Sequence, residues 1–258
     1  MKPIVRCTAV LFATASLALA QWNQKAPASS PSARFSPAMT FAPSSGGLLL
    51  FGGGTPAINN ETWTYDGSNW AQLAPATSPT ARWGAQLVHD LARGVTVLYG
   101  GLATNISVPP PNSDTWEFDG ANWTLAAPTA SAANRYWYGA CYDELRLRTV
   151  MYGGSTSQLL GSQTNQTWEY DGTTWSQVTT TGNPGAIERP AMCFHAQLGK
   201  AVLFGGGGPG GLSDQTWLYD GLTATWTQVT VTGAKPSARN AASMSYDPVR
   251  QLCVLAGG

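Results

Sequence analysis

Five arginines recur along the chain, each at the start of a similar stretch: Arg34, Arg82, Arg135, Arg189 and Arg239. Aromatic residues stand directly behind three of them, as Phe35, Trp83 and the pair Tyr136-Trp137. Guanidinium groups in such an arrangement have two uses. Each can brace a neighbouring loop by pairing with carboxylates or carbonyls, such as those near Glu61 and Asp114. Alternatively, several can converge on an anionic or polyhydroxylated ligand. A residue that recurs in every repeat ordinarily serves the repeat, which favours the brace. The aromatics could stack on sugar rings or simply fill the core. The candidate ligand-binding residues are therefore Arg34, Arg82, Arg135, Arg189, Arg239, Trp83, Tyr136 and Trp137.

Other chemistry finds little support. The two histidines, His89 and His195, lie far apart in sequence, where other repeats carry Tyr142 and Tyr246. With no acidic neighbour pattern they make a poor metal site, and no metal or other cofactor is expected. No serine sits in a Gly-x-Ser-x-Gly elbow. The glycines Gly205 to Gly208 follow a strand-like run but open no helix, so they do not form a phosphate loop. A glycosidase needs two positioned carboxylates, but Asp66, Asp119, Asp171 and Asp220 all belong to repeated turns. No catalytic residue is assigned. Cys141, Cys193 and Cys253 read as small buried hydrophobes, an odd count that permits one disulfide in an oxidising compartment.

The bulk composition agrees with a non-enzymatic, all-β chain. Its 258 residues suit one large β domain. Charged residues make up 11%, below the roughly 25% of an ordinary soluble domain. Fourteen basic residues balance 14 acidic ones, with no basic patch for nucleic acid. Lys2 and Arg6 precede an apolar run from Ala9 to Leu19 that closes in Ala18-Leu19-Ala20, the pattern of a secretory signal. The run is too short to span a membrane. The expected organisation is a signal peptide over 1–20 and one domain over 21–258, placing the protein outside the cytoplasm. Four Asn-x-Ser/Thr sequons, at Asn60, Asn105, Asn122 and Asn165, would matter in a eukaryote.

The elements that must carry these residues come in repeats. Thr62-Trp63-Thr64-Tyr65-Asp66-Gly67 returns with its first tryptophan at Trp116, Trp168 and Trp217. A second tryptophan follows each turn, at Trp70, Trp123, Trp175 and Trp226. Upstream, an apolar run ends in paired glycines at Gly52-Gly53, Gly100-Gly101, Gly153-Gly154, Gly205-Gly206 and Gly257-Gly258. The arginine precedes the first of these glycines by 18 residues in four units and by 16 in the fourth. Each unit reads as four short strands with an Asp-Gly turn between the third and fourth. The Thr-Trp tryptophans are expected in the core. Four-stranded units of this length point to a β-propeller.

These motifs, a glycine-paired apolar strand followed by Tyr and Trp, resemble the kelch repeat over essentially the whole mature chain. The same pattern occurs in the central domain of galactose oxidase and its relatives. The resemblance implies a kelch-type propeller whose first strands lie innermost, with the arginines near the channel mouth. Gln21 to Arg34 aligns on Asn69 to Arg82 with nine of fourteen positions identical. Trp22 should therefore begin a fourth strand. The expectation is four full blades and a partial fifth, completed in part by this N-terminal strand, within a chain that continues past Gly258 in a longer protein. The copper site of galactose oxidase would need residues this chain lacks.

The loops after the second strands differ most: Thr55 to Asn60, Leu102 to Ser113, Ser155 to Asn165 and Gly207 to Asp214. Variable loops on a rigid scaffold are where binding sits. The sequence therefore points to a secreted binding or scaffold module with a protein or polysaccharide on the long-loop face. The other reading is part of a carbohydrate-directed enzyme whose catalytic residues lie elsewhere.

Overall fold

The computed structural model describes residues 23–55, 57–103 and 111–258. The signal-like segment, Trp22 and Asn105 lie outside them. Four antiparallel four-stranded sheets succeed one another along the chain, each a meander in sequence order. Blade 1 comprises Ala38–Ala42, Gly47–Phe51, Thr62–Tyr65 and Trp70–Leu73. Blade 2 comprises Gln86–Asp90, Val95–Tyr99, Thr115–Phe118 and Trp123–Ala126. Blade 3 comprises Gly139–Asp143, Arg148–Tyr152, Thr167–Tyr170 and Trp175–Val178. Blade 4 comprises Ala191–His195, Lys200–Phe204, Thr216–Asp220 and Thr225–Val229. Among the described residues there is no α-helix, only the 3-10 turn Pro43–Ser45. None of them forms a helix long and apolar enough to cross a membrane.

First strands of successive blades pack on one another, which places them innermost, around a common axis. Apolar layers fill the gaps between blades. Ala38, Leu49 and Phe51 of blade 1 meet Leu87, Leu98, Phe118 and Trp123 of blade 2. Val97 and Tyr99 meet Tyr138, Met151 and Tyr170 in the next gap. Val150 and Tyr152 meet Phe194, Leu203 and Tyr219 in the one after. Burial of such side chains is the main term holding the blades together.

The motif residues divide this labour differently from expectation. The second tryptophans, Trp123, Trp175 and Trp226, are the buried ones. Each donates its indole N–H to the motif threonine of the preceding blade, Thr62, Thr115 and Thr167, at 3.0, 3.0 and 2.9 Å. The Thr-Trp tryptophans are only half-buried. The turn aspartates behave as read: Asp66 Oδ1 accepts from the Ser68 and Asn69 N–H groups, and Asp119 and Asp171 repeat the pattern. The paired glycines adopt φ of +67° and +93° at Gly52 and Gly53. A Cβ on Gly52 would lie 2.5 Å from the Arg82 carbonyl oxygen of the next blade, so only glycine fits.

On the face opposite the long loops, carboxylates are absorbed by the scaffold. Asp90 holds Arg93, which reaches Glu117, and Tyr170 of the next blade donates to Glu117. Asp143, Arg146, Glu169 and Tyr219 repeat this one blade on.

Beyond blade 4, Ser243–Asp247 pairs with Leu252–Ala256 as a two-stranded sheet packed against blade 4. These two strands stand where the first two of a fifth blade were expected, but its completion by an N-terminal strand is not confirmed among the described residues, Trp22 lying outside them. Residues 23–34 contain no strand. The alignment behind that expectation still has a physical counterpart. Ala28 N–H donates to Asn69 Oδ1 and the Ser29 hydroxyl to the Trp70 carbonyl, just as Ala76 and Thr77 meet Asn122 and Trp123. The segment thus laces onto blade 1 as every inter-blade linker laces onto the following blade.

Candidate functional site

The repeat arginines separate into two kinds. Arg34 donates to the Gly52 carbonyl at 3.0 Å and to Glu61 at 2.6 Å, and Glu61 also accepts the Trp63 indole N–H at 2.9 Å. Arg82 is buried, bonds the Gly100 carbonyl and forks onto both Asp114 oxygens at 2.6 and 2.8 Å. Asp114 in turn accepts from Trp116. Arg135, also fully buried, reaches the Gly153 carbonyl and the amide oxygen of Gln166, which Trp168 shares. Arg239 bonds the Gly257 carbonyl and both the carbonyl and hydroxyl of Ser237. These four are braces: each ties the chain entering its blade to the glycine pair, and the first three also tie it to the residue two before the motif tryptophan.

Electrostatics follow from this packing. Hydrogen bonding from Arg34 holds the Glu61 carboxyl below its ordinary range. Burial works to raise Asp114, but bonds and charge from Arg82 and the Trp116 bond outweigh it and leave Asp114 depressed. Arg135 has only neutral acceptors, and burial pushes it down to about 10, so it stays charged at neutral pH.

Arg189 is of the second kind. The Gly53, Gly101 and Gly206 N–H groups bond the carbonyls of Arg82, Arg135 and Arg239, but the Gly154 N–H bonds that of Ile187. Ile187 therefore occupies the brace position, and Arg189 stands two residues further, at the position of Gly84 and Trp137. The shortened 16-residue spacing was the signal: counted back by 18 from Gly205, the chain reads Ile187. The same shift puts Phe194, not His195, level with His89 and Tyr142. His195 stands instead where Asp90 and Asp143 stand, and its Nδ1 accepts the Leu198 N–H at 3.3 Å.

Two rings of residues line the axis on the long-loop face. The outer ring is Phe35, Trp83, Tyr136 and Glu188, which bridge to Gly54, Leu102, Ser155 and Gly207 at the roots of the long loops. The inner ring is Ser36, Gly84, Trp137, Arg189 and Ala241, with φ of +46°, +69°, +58°, +53° and +55°. Each inner residue after Ser36 donates its N–H to the carbonyl of the one before, at 3.0, 2.8, 2.5 and 3.0 Å. Four non-glycine residues in this sparsely populated region mark stored strain of the kind that gathers at functional sites.

The structure brings Trp83, Tyr136, Trp137, Arg189 and Phe35 together. Trp83 lies 5.6 Å from Phe35, 5.7 Å from Tyr136 and 5.1 Å from Trp137, centroid to centroid. The Arg189 guanidinium carbon sits 3.2 Å from the Trp137 ring centroid, a close cation–π contact. Gly84 makes the room, since a Cβ there would fall 3.0 Å from Trp137 Cδ1. Burial raises Tyr136 and lowers Arg189 from their ordinary values. Within this cluster, Trp83 Nε1, Trp137 Nε1 and Arg189 Nε are buried donors with no acceptor among the described residues. Buried polar groups are nearly always bonded, so three orphans in one cluster are an exception. Phe35 belongs to the series of aromatics that follow the arginines, whereas the place of Glu188 in the outer ring was hidden by the shift of Arg189. Among the described residues, no group of three or more His, Cys, Asp or Glu side chains is placed to hold a metal ion.

The repeat geometry agrees with a comparison of sequences. Residues 122–258 match the family model described as the KLHDC2/KLHL20/DRC7 Kelch-repeats domain. A search of the curated proteins finds no match. The matched region covers more than half of the chain, includes blade 3 and blade 4 entire, and carries the same glycine-pair and Thr-Trp chemistry seen in blade 1 and blade 2: the chain belongs to the Kelch-repeat family.

Proposed function

We propose that this protein is a binding scaffold whose long-loop face holds a segment of a partner protein at the channel mouth. The observation that carries the reading is the half-exposed ring of Phe35 packed on Trp83, beside Trp137 and the Arg189 guanidinium stacked on it. A peptide segment supplies an apolar side chain for Phe35. A polysaccharide fits less well, because Trp83 and Tyr136 are buried with their rings locked edge-to-face, leaving no open stacking platform. Kelch membership suits such a scaffold better than an enzyme.

The test is selection of peptides from a displayed library on the immobilised protein. Peptides that bind should lose affinity to the Trp137→Ala and Arg189→Ala variants and keep it for Arg239→Ala. Peptides indifferent to both mouth variants would refute the site. We propose further that the protein is exported, on the strength of Lys2, Arg6 and the Ala18-Leu19-Ala20 site. N-terminal sequencing of the protein recovered outside the cytoplasm should begin at Gln21.

A further inference from the structure

We infer that the face opposite the long loops docks a cationic segment of a partner protein, whose apolar side chains seat on leucines of the turns between first and second strands. These turns lie side by side around the axis, because the first strands leading into them pack on one another. The Ala92 N–H bonds the Tyr142 hydroxyl at 3.4 Å, so the blade 2 turn sits against the strand entering the blade 3 turn. A Cβ on Gly199 would lie 3.0 Å from Leu145 Cδ1, so the blade 3 turn sits against that of blade 4. Along this row Leu91, Leu145, Leu147 and Leu198 are all more than half exposed. Blades 2 and 3 have a neighbour on each side, so the exposure of their three leucines belongs to the turns themselves. The backbone gives a second sign. Leu147 takes φ of +56° at the place where Gly94 and Gly199 take +68° and +63°. A side chain is strained there, and Leu147, 51% exposed, recovers little by burial. Strain that the fold does not repay gathers at sites that bind.

Charge names the partner. Arg93 is shared between Asp90 and Glu117, and Arg146 between Asp143 and Glu169, so each trio keeps one negative charge. Among the described residues, the turn carboxylates of Asp66 and Asp119 accept only main-chain N–H groups. Glu144, directly beside Leu145, is exposed and has no ion pair among the described residues. The other charges of the face cancel in pairs: Arg148 with Asp171, Lys200 with Asp220 and Arg250 with Asp247. The face is therefore anionic with an apolar row through it. Such a surface draws Lys and Arg side chains and repels nucleic acid and anionic membranes. It lies across the molecule from the channel mouth and shares no residue with it.

A fluorescent peptide of repeated Leu-Lys-Lys-Leu, titrated against the full chain by anisotropy, tests this. It should bind saturably and weaken as salt rises. Leu147→Gly should weaken binding about tenfold through loss of a leucine's apolar contact, and Glu144→Lys about threefold. The same peptide with glutamate for lysine should not bind. Leu147→Gly should also keep or raise the Tm, since glycine takes this φ freely; a marked fall would show that Leu147 serves the scaffold instead. Absence of saturable binding, affinity indifferent to Leu147→Gly, or co-sedimentation of the protein with phosphatidylserine vesicles would each overturn the assignment.

Discussion

Gln166→Glu should stabilise the protein, although the substitution adds a charge beside a buried side chain. Arg135 is wholly buried, yet its guanidinium meets only the Ala133 and Gly153 carbonyls and the Gln166 amide. The same place in blades 1 and 2 holds Glu61 and Asp114, whose side chains remain 33% and 30% exposed. A carboxylate at 166 would therefore keep about a third of its surface in water, and its desolvation cost is small beside a fully buried ion's. Hydrogen bonds to charged partners contribute roughly 1.5–3 kcal/mol against 0.5–1.5 for neutral ones, so the exchange is worth about 1 kcal/mol. For a domain of this size that is a rise of about 3 °C in Tm. Scanning calorimetry at neutral pH measures it, and acid supplies the control. Glu61 and Asp114 are both held below the ordinary carboxylate range, and Glu at 166 will be too. Its stabilisation is then fully present above the unfolded-state value of about 4.3 and is lost as the pH falls through the lower folded value. A variant less stable at neutral pH, or a gain undiminished in strong acid, would refute the account of Arg135 as a brace short of its anion.

Other outcomes follow from the same contacts. Arg82→Met should cost about 3 kcal/mol by urea denaturation, since it strands Asp114 after loss of a two-pronged pair. Arg189→Gly should leave stability unchanged or raise it by up to about 1 kcal/mol, because glycine takes φ of +53° without strain and an orphan Nε is removed, while peptide binding falls. Marked destabilisation of that variant would show that Arg189 serves the scaffold. Cys193 and Cys253 have their Sγ atoms 3.0 Å apart, so oxidised glutathione should convert them to a disulfide, releasing two glutathione thiols and leaving Cys141 reduced. Peptide mapping by mass spectrometry decides it; a persistent glutathione adduct on Cys253 would speak against the pairing. Finally, hydrogen bonds hold the turn carboxylates Asp66 and Asp119 below their ordinary values. Their contribution is present above about pH 4 and lost below it, and a circular-dichroism titration should show stability declining there.

The blades were legible in the sequence because their chemistry is local and repeated. A glycine pair is required wherever the next blade's carbonyl approaches, and an Asp-Gly turn wherever the third strand reverses. The bracing role of Arg34 and Arg82 was legible too, through nearby Glu61 and Asp114. What escaped was anything that depends on register between blades. Arg189 looked like one more repeat arginine; its 16-residue spacing hinted at the two-residue displacement that the bond from Gly154 to Ile187 establishes. His195 was misplaced by the same shift. The Thr-Trp tryptophans were assigned to the core, and Trp116, Trp168 and Trp217 do pack against it while half-buried; each Thr-Trp indole donates to the side chain two residues before it, and it is the second tryptophan that reaches across to the neighbouring blade's threonine. The N-terminal strand is not confirmed among the described residues, although residues 28 and 29 lace onto blade 1 as the alignment suggested.

The inner ring of Ser36, Gly84, Trp137, Arg189 and Ala241 has one more consequence. Its hydrogen bonds use only main-chain atoms, and the braces that hold each blade lie elsewhere. Five different side chains therefore occupy one geometric position with no shared structural duty. Each repeat contributes one side chain to the mouth, within the limits set by its positive φ and, at Gly84, by the closeness of Trp137. Such an arrangement lets recognition diverge quickly, one repeat at a time, while the fold stays under the constraint of its glycines, threonines and arginines.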